Sequence, residues 1–280
     1  MTEGLATDGP RRIVDHRALD DRHRLLTLAA DDALAGFRPG QFAMLSCGDG
    51  LLLRRPFSLQ RSALCDGVRV VELLYRVVGR GTAALASLTP GTVVTALGPL
   101  GRPFDPPPAG ARPVLLGGGV GIPPMVALAE ALLATDGEPP LVIGGVSGVR
   151  DLACLEGLRQ LPLPIAVATL DGGEGTRGTV LDALDGAGTD LRDACLQLYA
   201  CGPIPMLAAV AARAREIGAG CQVSVEALMG CGYGACVGCA VPRSGEARSR
   251  GAMRWALACK DGPVFDARQL DLDGMEEPGG

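Results

Sequence analysis

The chain has 280 residues, 48% of them hydrophobic and 20% charged, with a formal charge of −5 and 41 glycines that follow no Gly-X-Y period. This excludes a wholly disordered or collagen-like chain, and the acidic balance argues against a phosphate backbone as the main partner. Aromatic residues are only 3%, so the core must be built from Ala, Val and Leu.

The first ten residues hold neither a basic start nor an apolar run of signal-peptide length, so a cytoplasmic location is expected. Up to residue 100 the chain reads as β-rich. Strands are expected at residues 41–47, 68–78 and 92–97, divided by Gly and Pro turns, a spacing that suggests a small antiparallel barrel. Residues 105–112, with three consecutive prolines, read as a stiff linker. Strands at 113–116, 141–145, 165–169 and 196–200 then alternate with helices at 124–134 and 204–217. That rhythm implies an α/β domain, a parallel sheet with helices on both faces. The longest apolar region, residues 113–134, is broken by glycines and prolines and carries Glu130, so it is not a spanning helix. From residue 227 the chain turns Gly- and Cys-rich, with a hairpin expected through Ser244, Gly245 and Glu246. The polar tail, residues 271–280, is expected to be mobile. The fold class is multi-domain: an antiparallel β-barrel over 1–108, an α/β parallel-sheet nucleotide domain over 109–226, and a small cysteine domain with tail over 227–280.

Cys47, Cys65, Cys154, Cys195 and Cys221 are scattered and read as buried small hydrophobes. His16 and His23 read as solvated surface residues. Cys231, Cys236, Cys239 and Cys259 are different, forming C-x4-C-x2-C with a fourth cysteine after nineteen further residues. This is the spacing of a plant-type [2Fe–2S] centre. Three thiolates must converge from one loop while backbone amides face the sulfurs, and Gly230, Gly232, Gly234 and Gly238 allow that close wrapping. Four thiolates also suit tetrahedral zinc, which would make the chain a nucleotide-sensing module without redox chemistry. Zinc ribbons, however, pair C-x2-C with C-x2-C.

Gly117, Gly118, Gly119 and Gly121 form a glycine-rich turn between a strand and a helix that opens with Pro123 and Pro124. Such a turn lets a pyrophosphate approach the backbone at the positive end of the helix. It is not G-x-G-x-x-G, because Ile122 stands at the third glycine place, and an ordinary tight connection has the same pattern. A second strand-to-helix turn carries Cys201, Gly202 and Pro203. Two such turns at the ends of parallel strands point into one crevice. Cys201 is either buried filler or the border of the spot where a nicotinamide meets its acceptor. Earlier in the chain, Arg54, Arg55, Pro56, Phe57 and Ser58 join two basic groups to a rigid turn and a hydroxyl, as suits a phosphate. Tyr75 and Arg76 add a stacking ring and charge, and Gly79-Arg80-Gly81-Thr82 a glycine turn. A charged barrel surface would carry the same residues.

Arg-Pro-x-Ser, Leu-Tyr-Arg, Gly-Thr, a glycine turn and Cys-Gly-Pro, in that order, resemble the ferredoxin reductase superfamily. With the C-terminal cysteines, the chain is similar to the electron-transfer subunits of class 1B dihydroorotate dehydrogenase, from about residue 11 to residue 270. Gly98-Pro-Leu-Gly101, Val225-Glu-Ala-Leu-Met229 and Cys259-Lys-Asp-Gly-Pro-Val-Phe265 also match. The resemblance implies that Arg55, Pro56, Phe57, Ser58, Leu74, Tyr75, Arg76, Gly81 and Thr82 hold FAD. It implies that Gly117, Gly118, Gly119, Gly121, Cys201, Gly202 and Pro203 line an NAD crevice. The four clustered cysteines would ligate [2Fe–2S]. No side chain is expected to act as general base. The implied role is electron transfer in pyrimidine biosynthesis, from an FMN-containing dihydroorotate dehydrogenase catalytic subunit through cluster and FAD to NAD, in a hetero-oligomer with two of each subunit. The alternative is an NAD(P)H-dependent reductase serving an oxygenase, a hydrogenase or a ferredoxin. The segment between Cys239 and Cys259, with Arg243, Arg248, Arg250 and Arg254, looks longer than the family's hairpin. NAD against NADP is decided by an acidic residue or an arginine near the ribose, and none of Asp136, Glu138, Arg150 or Asp151 stands out.

Overall fold

The computed structural model describes residues 6–48, 50–187 and 195–276. The first part comprises β1 (Thr7–Ala18), β2 (His23–Ala29), α1 (Asp32–Ala35), β3 (Phe42–Leu45), β4 (Arg55–Ser58), β5 (Arg61–Cys65), β6 (Val68–Arg76), α2 (Arg80–Ala86) and β7 (Val93–Leu100). The strand order is β4-β3-β7-β1-β2-β6-β5, every pair antiparallel. Its two outermost strands, β4 and β5, are joined in the chain by Leu59 and Gln60 alone. A sheet whose ends are covalent neighbours must curl until they meet, which closes the barrel. Ile13, Leu26, Leu45, Leu73 and Leu85 fill its interior. β1 pairs with β7 up to Arg12 and with β2 from Ile13, bulging between Ile13 and Asp15. One bent strand thus serves two ladders, and no clean polar–apolar alternation marks it in the sequence.

The second part comprises β8 (Arg112–Gly118), α3 (Ile122–Leu133), β9 (Leu141–Val146), α4 (Glu156–Arg159), β10 (Ile165–Thr169), β11 (Thr176–Arg177), α5 (Val180–Gly186), β12 (Leu196–Cys201), α6 (Ile204–Ile217) and β13 (Gly220–Ser224). The third comprises β14 (Ala240–Pro242), α7 (Gly245–Ser249), β15 (Trp255–Leu257) and β16 (Val264–Asp266). The large sheet runs β11-β10-β9-β8-β12-β13-β16. It is parallel except at β16, which adds antiparallel to β13. α3 and α4 pack on one face and α5 and α6 on the other. α6 turns Ile204, Leu207, Val210, Ala211 and Ala214 inward, the spacing of one helical face. Gly218, at φ +72°, then ends it in the left-handed conformation. The core on the α5 and α6 face also takes in Met44 and Leu100 of the barrel and Cys239, Ala258 and Cys259 of the third part. One apolar cluster therefore reaches into all three parts, while the barrel keeps an interior of its own.

Several expectations need correction. His23 is 0% exposed, because its Nδ1 donates to Asp20 Oδ2 at 2.8 Å under Asp151. His16 is half-buried: Nδ1 donates to the Leu88 carbonyl at 2.8 Å, so its Nε2 accepts the Tyr75 hydroxyl at 2.9 Å. Cys65, at the end of edge strand β5, and Cys195, just before β12, are exposed rather than buried, and Cys221 is half-buried. β14 and β15 do pair antiparallel, but α7 rather than a tight turn connects them, with Ser244 capping it through the Ala247 amide. The tail carries a 3-10 turn at Leu272–Gly274 with Leu272 buried, and residues 277–280 lie outside the described residues. Among the described residues no helix is long and apolar enough to cross a membrane.

Candidate functional site

The four clustered cysteines stand as two pairs. The Cys239 and Cys259 sulfurs are 3.2 Å apart and buried. Cys231 Sγ contacts the Cys236 thiol and accepts the Cys236 amide at 3.5 Å. Burial pushes the Cys231 thiol up, but the amides of Cys236, Tyr233 and Ala235 outweigh it and bring the group to about 6. Burial, reinforced by the adjoining Cys239, pushes Cys259 up to about 12 against the Gly234 amide. Among the described residues no three side chains of His, Cys, Asp or Glu gather around a single ion position. Two thiol pairs with amides aimed at sulfur fit two irons, each taking two cysteines, better than one tetrahedral zinc.

Glycines set where this loop lies. Gly232, at φ +85°, faces the barrel so closely that a Cβ there would fall 2.4 Å from Met44 Cγ. Met44 pairs with Pro56 across β3 and β4. Gly101, at φ +80°, likewise meets Pro263, and the Arg102 amide donates to the Gly262 carbonyl at 2.6 Å. The stretches 98–101 and 259–265, read separately from the sequence, thus pack on one another. The stretch after Cys259 is joined to the end of the barrel backbone to backbone, and the cysteine loop meets the barrel through Met44 and Leu100.

On the barrel, Arg55 lies against the first turn of α2, where a Cβ at Gly81 would stand 3.1 Å from its Nε. Thr82 Oγ1 accepts the amides of Val78 and Gly79. Arg55 and Ser58 of β4 are half-buried at this rim, and the Phe57 and Tyr75 rings meet edge to face at 5.5 Å. Tyr75, expected as a stacking surface, instead sits inside the barrel at 4% exposure, so a flavin would meet its backbone rather than its ring. Leu74 is buried against the α3 side of the large sheet, and Arg76, at the end of β6, is exposed.

At the large sheet the chain leaves β8 for β9 on one side and reaches β12 on the other. This is the reversal point where open α/β sheets bind ligands. Gly117 pairs with Cys201 there, and Cys201 with Ser224 of β13. The two turns touch: a Cβ at Gly121 would lie 2.4 Å from the Cys201 backbone, and one at Gly118 would lie 2.6 Å from Met206 Sδ. Gly202 packs on Gly118, while Pro203 precedes α6 and Gly119 takes φ +53°. Burial pushes the Cys201 thiol up to about 12, with the Ser224 hydroxyl opposing and the Glu226 carboxylate adding to the rise. Ser224 and Glu226 were not singled out as site residues. Their position beside Cys201 depends on the β12–β13 register.

Residues 226–271 match the iron–sulfur cluster binding domain of dihydroorotate dehydrogenase B, and residues 115–212 match an oxidoreductase NAD-binding domain. The chain is 33% identical over 264 residues to the dihydroorotate dehydrogenase B (NAD(+)) electron transfer subunit of Listeria monocytogenes, covering 93% of this chain and 98% of that one. With the same subunit of Geobacillus thermodenitrificans it shares 36% over 266 residues, covering 93% and 97%.

The chain belongs to the dihydroorotate dehydrogenase B electron transfer subunit family.

Among solved structures, an NADH-dependent reduced ferredoxin-NADP oxidoreductase, studied for flavin-based electron bifurcation, superposes with a TM-score of 0.80 at 26% identity. The match covers 94% of this chain and 90% of that one. An electron transfer subunit is an oxidoreductase component, and its iron–sulfur and NAD-binding domains are the two described above. The donor sets fit the groups the family carries: paired thiols for [2Fe–2S], an Arg-rich rim for FAD and abutting glycine turns for NAD.

Proposed function

We propose that this chain passes electrons between the FMN-bearing catalytic subunit of dihydroorotate dehydrogenase and NAD, by way of [2Fe–2S] and FAD. In this reading Cys231, Cys236, Cys239 and Cys259 hold the irons. Arg55 and the Gly81-Thr82 turn take the FAD phosphates, with Pro56, Phe57, Ser58, Leu74, Tyr75 and Arg76 shaping the rest of the flavin site. Gly117, Gly118, Gly119, Gly121, Cys201, Gly202 and Pro203 form the NAD crevice. When bound, the flavin converts between the hydride exchanged with nicotinamide and the single electrons carried by a cluster.

The observation that carries the reading is the contact of Gly232 with Met44, which pairs with Pro56. It puts the thiol loop against the strand next to the flavin motif, so no mobile arm has to bridge the two groups. Cys201, kept as a neutral thiol by burial, puts no thiolate where nicotinamide would lie. The three regions divide as 1–108, 109–226 and 227–280, two copies assemble with two catalytic subunits, and the complex works in the cytoplasm.

Anaerobic protein with FAD, iron and sulfide is expected to lose both flavin and cluster absorbance on addition of NADH. Adding the catalytic subunit and dihydroorotate should then return NADH from NAD(+). Protein containing neither iron nor acid-labile sulfide would overturn the reading, as would bleaching of flavin alone.

A further inference from the structure

The sequence left open which residue meets the adenosine ribose, and the fold removes most of the candidates. Asp136 and Glu138 precede β9, and Glu138 pairs with Arg112 at 3.2 Å, at the start of β8 and away from the crevice. Asp151 is held by Arg22 of the barrel at 2.7 Å. Among the described residues, one side of the crevice is occupied. Beyond β12 the way is filled, because the Val225 amide donates to the Pro263 carbonyl at 3.0 Å and β16 covers β13. A dinucleotide with its nicotinamide at Cys201 and its pyrophosphate at the β8 turn must therefore extend over β9 and β10. Two strand spacings of about 4.8 Å carry it some 10 Å, to the loops that follow those strands.

Asp171 bridges those two loops. Its Oδ1 accepts the Gly173 amide at 2.9 Å and its Oδ2 the Val149 amide at 3.4 Å. A Cβ at Gly148 would stand 2.2 Å from Oδ2, so glycine is what lets the carboxylate lie across the β9 loop. A carboxylate offers about four acceptor sites, leaving capacity for a further hydroxyl. Val149 and Leu170, at 55% and 57% exposure, flank it with apolar surface. Two exposed aliphatic side chains on either side of an acidic acceptor suit an adenine and its ribose.

Resting on the nucleotide reading above, we propose that Asp171 receives the 2′-hydroxyl of the adenosine ribose and turns away a 2′-phosphate, with Val149 and Leu170 supporting the adenine. A phosphate dianion would meet the carboxylate as a like charge, whereas a hydroxyl donates to it. Arg177, whose side chain lies over Gly172, stands ready as a phosphate contact once the carboxylate is neutralised.

The test is calorimetric titration of the cofactor-loaded protein with ADP-ribose and with its 2′-phosphate, alongside kcat/KM for NADH and NADPH. Wild type should bind ADP-ribose about tenfold or more tightly than the phosphorylated form, the worth of a charged hydrogen bond. Asp171→Asn, which keeps an acceptor for the Gly173 amide, should shrink that ratio to about threefold or less by tightening the 2′-phosphate form, and should shift the kcat/KM ratio in parallel. Asp171→Ser serves as the second variant, and Asp136→Asn as a control that changes neither ratio. Equal loss of both ligands in the Asp171 variants would mean that the carboxylate only braces the loops, and would overturn the proposal. So would a wild type without preference. Failure of wild type to bind ADP-ribose or to be bleached by NADH would instead overturn the nucleotide reading itself.

Discussion

Burial, helped by nearby carboxylates, raises the thiols of Cys154, Cys221 and Cys201 to about 12, yet Cys231 comes down to about 6 although burial also acts on it. The difference is the donors: three backbone amides face Cys231 Sγ, and amides favour a thiolate over a thiol. The loop is thus shaped for anionic sulfur before any metal arrives. Replacing Cys236 by Ser should abolish iron and acid-labile sulfide while leaving bound FAD in place, because the barrel core contains no part of that loop. Metal analysis and visible spectra of the purified variant decide this, and retained iron would remove Cys236 from the ligand set. Tyr75 offers a second residue-scale check. Its hydroxyl donates to His16 Nε2 inside the barrel, so Tyr75→Phe should cost about 1 kcal/mol by denaturant unfolding. If the hydroxyl instead stood in solvent, with the ring exposed, the same change would leave stability unaltered.

Helix α1 and the glycine turns show how elements answer to their ends. Asp31 caps α1 by accepting the Leu34 amide at 2.9 Å and pairs with Arg11 at 2.6 Å. Burial works against the carboxylate, but the Leu34 amide and then Arg11 and Thr7 outweigh it and hold it below the ordinary 3.8. Folding therefore favours the ionised form. Its stabilisation is complete above the unfolded value and disappears as pH falls through that value and then the folded one. Asp31→Ala should cost about 1 kcal/mol near neutrality, and the gap to wild type should narrow as pH falls below the ordinary 3.8. Gly121 tests the other kind of end. Its missing Cβ leaves room for the Cys201 carbonyl, which is backbone and cannot swing aside. Gly121→Ala should destabilise by about 1–3 kcal/mol and slow NADH bleaching of the flavin, while dithionite still reduces it. The elements with local punctuation were legible in the sequence: Pro203 and Gly218 bracket α6, and its expected span, residues 204–217, matches Ile204–Ile217. β1 was not, since its two ladders cancel any single alternation, nor was the burial of His23, which depends on Asp20.

At the scale of the whole molecule, the cysteine spacing was readable because ligand spacing is a local property of the chain. The contact of Gly232 with Met44 was not, because those residues are brought together only by closure of the barrel and by β16 adding to the large sheet. The same assembly leaves apolar side chains exposed around the cysteine loop. Tyr233, Val237, Met253 and Trp255 are all exposed large side chains, and three of the four clustered cysteines lie between or beside them in sequence. Between Cys239 and Cys259 the chain carries four arginines against Glu246 alone, although the whole chain is at −5. Glu246 pairs with Arg250 at 2.8 Å, and the Arg254 guanidinium lies 5.5 Å over the Trp255 ring. β14 and β15 lead directly from Cys239 and back to Leu257, so Trp255 stands two strand residues, about 7 Å, from the Leu257 end of that ladder. A catalytic subunit exchanging electrons with the cluster must approach close to this tip, and an acidic rim on it would be attracted by the uncompensated arginines. Trp255→Ala should weaken the complex with the catalytic subunit about tenfold or more, as a buried aromatic anchor does. Arg254→Glu should slow association and flatten its dependence on salt between about 0.05 and 0.5 M. Both variants should keep NADH bleaching of flavin and cluster, because neither residue lies in the nucleotide crevice or among the thiols. Unchanged association of both variants, measured by surface-immobilised binding, would place the docking face elsewhere on the molecule.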